Sequence, residues 1–200
     1  MDEARCLSGG QPATTPAAAT SEPFQTVARQ LARGTAVLSS AAGDQVHAVT
    51  VSTFGIVSVE PPLVVATVAR GGRLDDLVER SGEFAACLLT RFQEPLAHRC
   101  ATPGRPAHWS QFPAAQWWLA PHSGAPLARG SLAWFDCRLH SVLRIEDRSL
   151  LVGAVTAAGR EVPGPALVRF DDGYHFVSSR GSVPCHPDGT TSTTRGGEWP

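Results

Sequence analysis

Between residues 35 and 69 the chain alternates in a way that helices do not. TAVLSS (35–40), VHAVTVST (46–53) and LVVATVA (63–69) are rich in β-branched residues and separated by polar or proline-bearing breaks. A period of two, or a short apolar run bounded by turn residues, reads as strand. AAGDQ (41–45), with Gly43-Asp44 at its tip, reads as the turn joining the first two strands into a hairpin. Pro61-Pro62 cannot donate to a ladder and is expected just outside the strand that begins at Leu63. Glu83–Leu89, Ser131–Val142, Ser149–Val155, Ala166–Phe170 and Tyr174–Ser178 have the same strand character. Helical spacing appears at Phe24–Arg33, closed by Gly34, at Arg73–Arg80 and at Gln93–Cys100. Residues 101–126 are rich in Pro and Trp and lack a period; a loop of that length usually serves function or an interface.

Seven to eight short strands with two or three helices between them predict a mainly β fold. The expected form is an antiparallel, closed barrel with short helical excursions, since closure leaves no long edge exposed. Residues 23–180 form one domain in this reading. Residues 1–22 and 181–200 are small, polar and proline-bearing, and are expected to be disordered tails. There is no GxGxxG, so a Rossmann fold has no support.

Charge narrows the function classes. The formal net charge is −1, which gives no electrostatic case for nucleic acid or for an anionic membrane surface. No apolar run is long enough to span a bilayer, and the amino terminus lacks the basic and apolar regions of a signal peptide. The cysteines (6, 87, 100, 137, 185) form no CxxC pair and read as reduced thiols of a cytoplasmic protein. All 17 basic residues are arginine. A Schiff-base lysine and a P-loop lysine are therefore excluded, and any bound phosphate must be held by arginine, hydroxyls or backbone.

Candidate chemistry gathers at one strand end. Thr50, Ser52 and Thr53 sit where backbone N–H groups and hydroxyls can face a planar heteroaromatic ring; they also read as ordinary strand hydroxyls. The histidines show no metal spacing, and Cys185-His186 is a weak pair. Trp109, Trp117 and Trp118 read as core or dimer seam, and Cys137 as a small buried hydrophobe.

AVTVSTFGIVSVEPPLVV (48–65), SGEFAACLL (81–89), Gln93, GAPLARGSLAWFDCRL (124–139), LLVGAV (150–155) and PALVRFDDGY (165–174) follow one another in order. Together they resemble the flavin reductase-like domain family, whose fold is a split β-barrel and whose members supply reduced flavin to two-component monooxygenases. The resemblance implies an NAD(P)H:flavin oxidoreductase using FMN or FAD with NADH or NADPH, working as a homodimer beside a monooxygenase. It implies Val46, His47, Ala48, Val49 and Thr50 at the flavin ring, with Ser52, Thr53, Thr67, Val68 and Ala69 around it. Arg73, Leu74 and Arg99 are implied near the ribityl phosphate, each arginine being otherwise a solvated helix residue. Arg148, Val168, Arg169, Phe170 and Asp171 are implied near the nicotinamide nucleotide. His47 is open between backbone contact with its ring in solvent and a closer role.

The chain departs from the family at 146–148. Many members carry Gly-Asp-His there, with the histidine beside the nicotinamide; here the residues are Glu146-Asp147-Arg148. Arginine does not titrate near neutral pH, so it cannot shuttle a proton. Arg148 is open between a turn residue and a catalytic or nucleotide-binding residue. The family's usual Asn near Ala86 is also missing. Two other readings stay open: a flavin enzyme acting on an organic substrate, walled by the 109–118 loop, and a non-catalytic flavin-binding module.

Overall fold

The computed structural model describes residues 23–178. The tails expected at 1–22 and 181–200, with Cys6, Cys185 and His186, lie outside the described residues. In chain order the strands are β1 (Arg33–Gly34), β2 (Ala36–Ala42), β3 (Gln45–Val51), β4 (Gly55–Ser58), β5 (Leu63–Ala69), β6 (Glu83–Leu88), β7 (Trp117–Leu119), β8 (Pro126–Ala128), β9 (Ala133–Ile145), β10 (Arg148–Arg160), β11 (Ala166–Phe170) and β12 (Gly173–Val177). The α-helices are α1 (Phe24–Ala28), α2 (Arg73–Ser81) and α3 (Glu94–Ala101).

Seven strands make the main sheet, in the order β3-β2-β6-β9-β10-β5-β4, with antiparallel neighbours. The period of two places alternate residues in two core layers. Val37, Ala85 and Cys87 join one layer, which α3 and the 112–128 stretch cover with Ala97, Cys100, Phe112, Trp117 and Leu127. Ala36, Leu38, Phe84 and Ala86 join the other, which α2 covers with Leu74 and Val78. Burial on both faces explains why these strands read as nearly continuous apolar runs.

The two ends of this sheet, β3 and β4, are consecutive in the chain and joined by residues 52–54 alone. Four Cα steps span at most about 14 Å, so the sheet must curl until its ends approach. Thr53 carries the junction: its hydroxyl accepts from the Thr67 N–H at 2.9 Å and meets the Thr67 hydroxyl at 2.9 Å. The Thr53 hydroxyl thus extends the β4–β5 pairing beyond Gly55↔Val65.

Several expectations shift. The first helix ends at Ala28, and Arg33–Gly34 instead pairs with Arg169 and Val168 of β11. Gly34 serves as a strand partner and not as a helix cap, because β11 offers a ladder edge that the local pattern does not reveal. β4 is a separate edge strand with no counterpart among the expected strands: Ile56 and Val57 face outward, 64% and 55% exposed, and an exposed edge strand has no core-facing alternation. β7 and β8 form a small ribbon at the end of the 101–126 excursion, too short to show a period. β9 and β10 form a longer hairpin than expected, each 13 residues, because it continues through polar positions such as Arg138, His140 and Arg144. Pro61-Pro62 lies in the turn before β5, as the missing donors require.

Candidate functional site

Where the sheet ends approach, a cavity of about 510 Å³ opens. One wall is β3 and the residues after it, from His47 through Thr53 without Ala48. The end of β5 supplies Thr67, Val68 and Ala69, and the turn into α2 supplies Gly72, Arg73, Leu74 and Asp75. Arg33 and Arg148 border it from β1 and β10. Every position singled out between His47 and Leu74 except Ala48 therefore borders one space, as does Arg148.

The remaining positions fall elsewhere. Val46 and Ala48 are fully buried, with side chains in the core layer on the opposite face of β3. Arg99 borders a separate cavity of about 480 Å³ and bonds Gln116 Oε1 at 3.3 Å. Arg169 lines a third space, of about 500 Å³, that shares Thr50, Val51 and Ser52 with the first; its guanidinium lies 5.0 Å from the Tyr174 ring. Val168 pairs with Gly34. Phe170 ends β11, and the Asp171 N–H donates to the Arg29 carbonyl. Asp171 and Asp172 both have positive φ (43° and 56°), the requirement of a tight two-residue hairpin turn. Trp109, Phe112, Trp117 and Trp118 line an aromatic cleft of about 460 Å³ that shares no residue with the first cavity.

Hydroxyls in the cavity wall are unequally committed. Thr50 Oγ1 donates to the Ala97 carbonyl of α3 at 2.8 Å, so it braces β3 against that helix. The His47 ring is not in solvent: the residue is 9% exposed, and Nδ1 has no partner. Burial, then the guanidinium of Arg105, then that of Arg73, push its pKa down to about 4. His47 is thus a neutral imidazole at physiological pH.

Three contributors carried little sequence signal. Arg33 read as a helix end. Arg105, in the aperiodic excursion, sends its guanidinium inward to the carbonyls of Ala48 and Cys100, while its own carbonyl accepts from Arg73. Asp75 lies in the first turn of α2, where an acid favours the helix dipole, and carried no expectation of its own. In the fold it is 1% exposed. Its Oδ2 accepts from the Gly71 N–H at 2.8 Å and from Arg144 and Ser149 at 3.0 Å each. Burial works to raise the Asp75 pKa, but these donors and the Arg144 charge outweigh it and hold the carboxyl below its usual range. Oδ1 of Asp75 has no partner. Gly71 takes φ +66°, a left-handed conformation that glycine adopts without strain. The turn into α2 is thereby fixed by a buried carboxylate tied to the β9–β10 hairpin.

Cys87, Cys100 and Cys137 are buried free thiols. Burial raises all three pKa values, those of Cys87 and Cys137 to about 12, so none is a thiolate at neutral pH. Among the described residues no cluster of His, Cys, Asp or Glu has the arrangement of a metal site, and no helix is long and apolar enough to cross a membrane.

Comparison with known proteins adds a common identity. The sequence pattern of the flavin reductase like domain matches residues 28–178. An NADPH-flavin oxidoreductase of Streptomyces viridifaciens is 32% identical over 166 residues, covering 83% of this chain and 86% of that protein. An NADH-dependent flavin reductase of Pseudomonas fluorescens is 30% identical over 156 residues, covering 76% and 87%. The crystal structure of the flavin reductase component of a bacterial two-component tryptophan halogenase superposes with a TM-score of 0.74 at 31% identity, covering 78% of this chain and 97% of that one.

Proposed function

The chain belongs to the flavin reductase-like family, and on that premise we propose that it is an NAD(P)H-dependent flavin reductase that hands reduced flavin to a partner monooxygenase. The observation that carries the site assignment is the cavity at the sheet junction, where strand-end residues, hydroxyls and arginines border one space. Those groups fit a flavin. Its ring carries several acceptor atoms, and its phosphate suits Arg73 at the first residue of α2.

When both cofactors are bound, the nicotinamide supplies a hydride and the flavin accepts it. The chain's own part is to bind, orient and exclude water. The 52–53 segment offers amides and hydroxyls at the ring edge. Thr67 and Thr53 fasten the connector between β3 and β4 to β5 beneath it. Neutral His47 adds no positive charge of its own, so the cationic character of the wall comes from arginine. Arg148, 57% exposed and 3.3 Å from the Asp147 carboxylate, stands at the rim, where it is free to meet the charged end of the nicotinamide nucleotide. Arg169, with Asp172 and Tyr174, lines the space that shares Thr50, Val51 and Ser52 of the β3 rim, and Val168, Phe170 and Asp171 are its neighbours in β11 and the turn that follows. No side-chain acid is needed for hydride transfer, which suits a site without the family's histidine.

The curled sheet closes as a split barrel through residues 52–54, and the chain works as a cytoplasmic homodimer. Outward-facing Ile56, Val57 and Val59 support the dimer, since such side chains are usually covered in the assembled protein. The test is stopped-flow: flavin reduction with NADH and with NADPH, for wild type and Arg148→His. Rapid oxidation of either nucleotide only when flavin is present supports the reading. No acceleration with either nucleotide rejects it.

A further inference from the structure

Two cavities meet at Trp117 and Arg129, which border both. One, of about 480 Å³, takes in Leu96 and Arg99 of α3. The other, of about 460 Å³, is the aromatic cleft of Trp109, Phe112 and Trp118. Each lies within the roughly 300–1,000 Å³ range of ligand cavities. Neither shares a residue with the cavity at the sheet junction. Edge-to-face contacts hold the aromatic wall in place: the Phe112 ring lies 4.9 Å from Trp117 and 6.4 Å from Trp109, and Trp118 lies 5.1 Å from Trp134.

The charge of these walls is one-sided. Acids and bases nearly balance over the chain, 18 against 17, yet Arg99 and Arg129 border the two spaces and no Asp or Glu does. Neither arginine has an ion-pair partner among the described residues. Arg129 is held by its main-chain N–H, which donates to the Gln116 carbonyl at 2.9 Å, and by Nε, which donates to the Ala114 carbonyl at 3.1 Å. Its two terminal nitrogens have no partner among the described residues. Arg99 gives one terminal nitrogen to Gln116 Oε1 at 3.3 Å and keeps the other. The neighbouring acids are engaged elsewhere: Glu161 accepts from the Gly130 and Ser131 N–H groups, and Glu94 pairs with His98.

We propose that these joined spaces bind an aromatic carboxylate, a ligand separate from the flavin and the nicotinamide nucleotide. A guanidinium with two uncommitted terminal nitrogens meets a carboxylate bidentately. Tryptophan and phenylalanine rings receive a planar ring edge to face or offset. An arginine patch alone would suit any anion, and an aromatic cleft alone any apolar molecule. Side by side at Arg129 and Trp117, they select a molecule that carries both features. Arg99 then serves this ligand and not the flavin phosphate.

The probe is indole-3-acetate, a bicyclic ring with one carboxylate, titrated calorimetrically into the full-length chain. Indole-3-acetamide is its neutral counterpart and cyclohexylacetate its non-aromatic one. The aromatic acid should bind at least about tenfold more tightly than either, the difference that one charge-assisted pair supplies. Arg129→Gln, at an exposed position, should bring the acid to the affinity of the amide and leave the amide unchanged. Arg99→Gln, also exposed, should weaken the acid severalfold, and serves if the first variant does not fold. The Kd for the acid should be the same with FMN at saturation. Absence of saturable binding by the acid overturns the proposal, as does a preference for acid over amide that both variants retain. Displacement of the acid by FMN also overturns it, because the probe then sits in the flavin cavity.

Discussion

Acid should unfold this protein in a window that one residue sets. His47 titrates near 6.5 in an unfolded chain and at about 4 in the folded one. The folded state therefore holds fewer protons than the unfolded state between those values, and stability falls as pH falls. The contribution is complete above the unfolded value and is lost progressively down to the folded value. Working the linkage through for a single site, the loss is about 1 kcal/mol at about pH 5.5 and about 2 kcal/mol at about pH 4.5, relative to neutral pH. Asp75 works lower on the scale. Its folded pKa lies below the unfolded 3.8, so its contribution is present above that value and fades only beneath it. The two windows are thus separable. The assay is urea unfolding of wild type and His47→Gln at a series of pH values, with the difference in unfolding free energy plotted against pH. Wild type should lose stability relative to the variant by the stated amounts. Parallel curves from neutral pH to about 4.5 would refute the reasoning, because they would mean that the imidazole is as easily protonated inside as outside.

Two further substitutions probe the scaffold around the cavity. Arg144→Met leaves the buried Asp75 carboxylate with only Gly71 and Ser149 as donors. Breaking a buried pair costs about 3–5 kcal/mol, and Arg144 is itself 32% exposed, so about 2–3 kcal/mol is expected by urea unfolding, together with weaker flavin binding as the 71–73 turn loosens. Gly153→Ala puts a Cβ at 2.4 Å from Phe84 Cζ and 3.0 Å from Cys137 Cβ in the core. About 1–3 kcal/mol of destabilisation is expected, read as a lower Tm with Phe84 displaced in a crystal structure.

What the sequence revealed and what it concealed divide along physical lines. The buried strands were legible because β5 is apolar and largely β-branched, and β2 and β6 are short, mostly apolar runs bounded by turns. The cavity positions from His47 to Leu74 were legible chiefly because they are close in sequence, on two strands and the turn that follows. Arg33, Asp75 and Arg105 were not. Their roles depend on partners 40 or more positions away: Ala48 for Arg105, Arg144 for Asp75 and β11 for Arg33. Nothing in a local pattern distinguishes such an arginine from a solvated one. The length of β9 and β10 was hidden for a related reason, since a hairpin that projects beyond the core continues through polar residues that pattern reading takes as its end.

The junction at Thr53 and Thr67 has one more consequence. Along the rest of the sheet, neighbouring strands are fastened by repeated main-chain pairs, but here two side-chain oxygens share the task with a single amide. Both threonines line the cavity. A molecule lodged there bears on β3 and β5 at once and acts as a rivet, so filling the cavity and stiffening this part of the sheet are the same event.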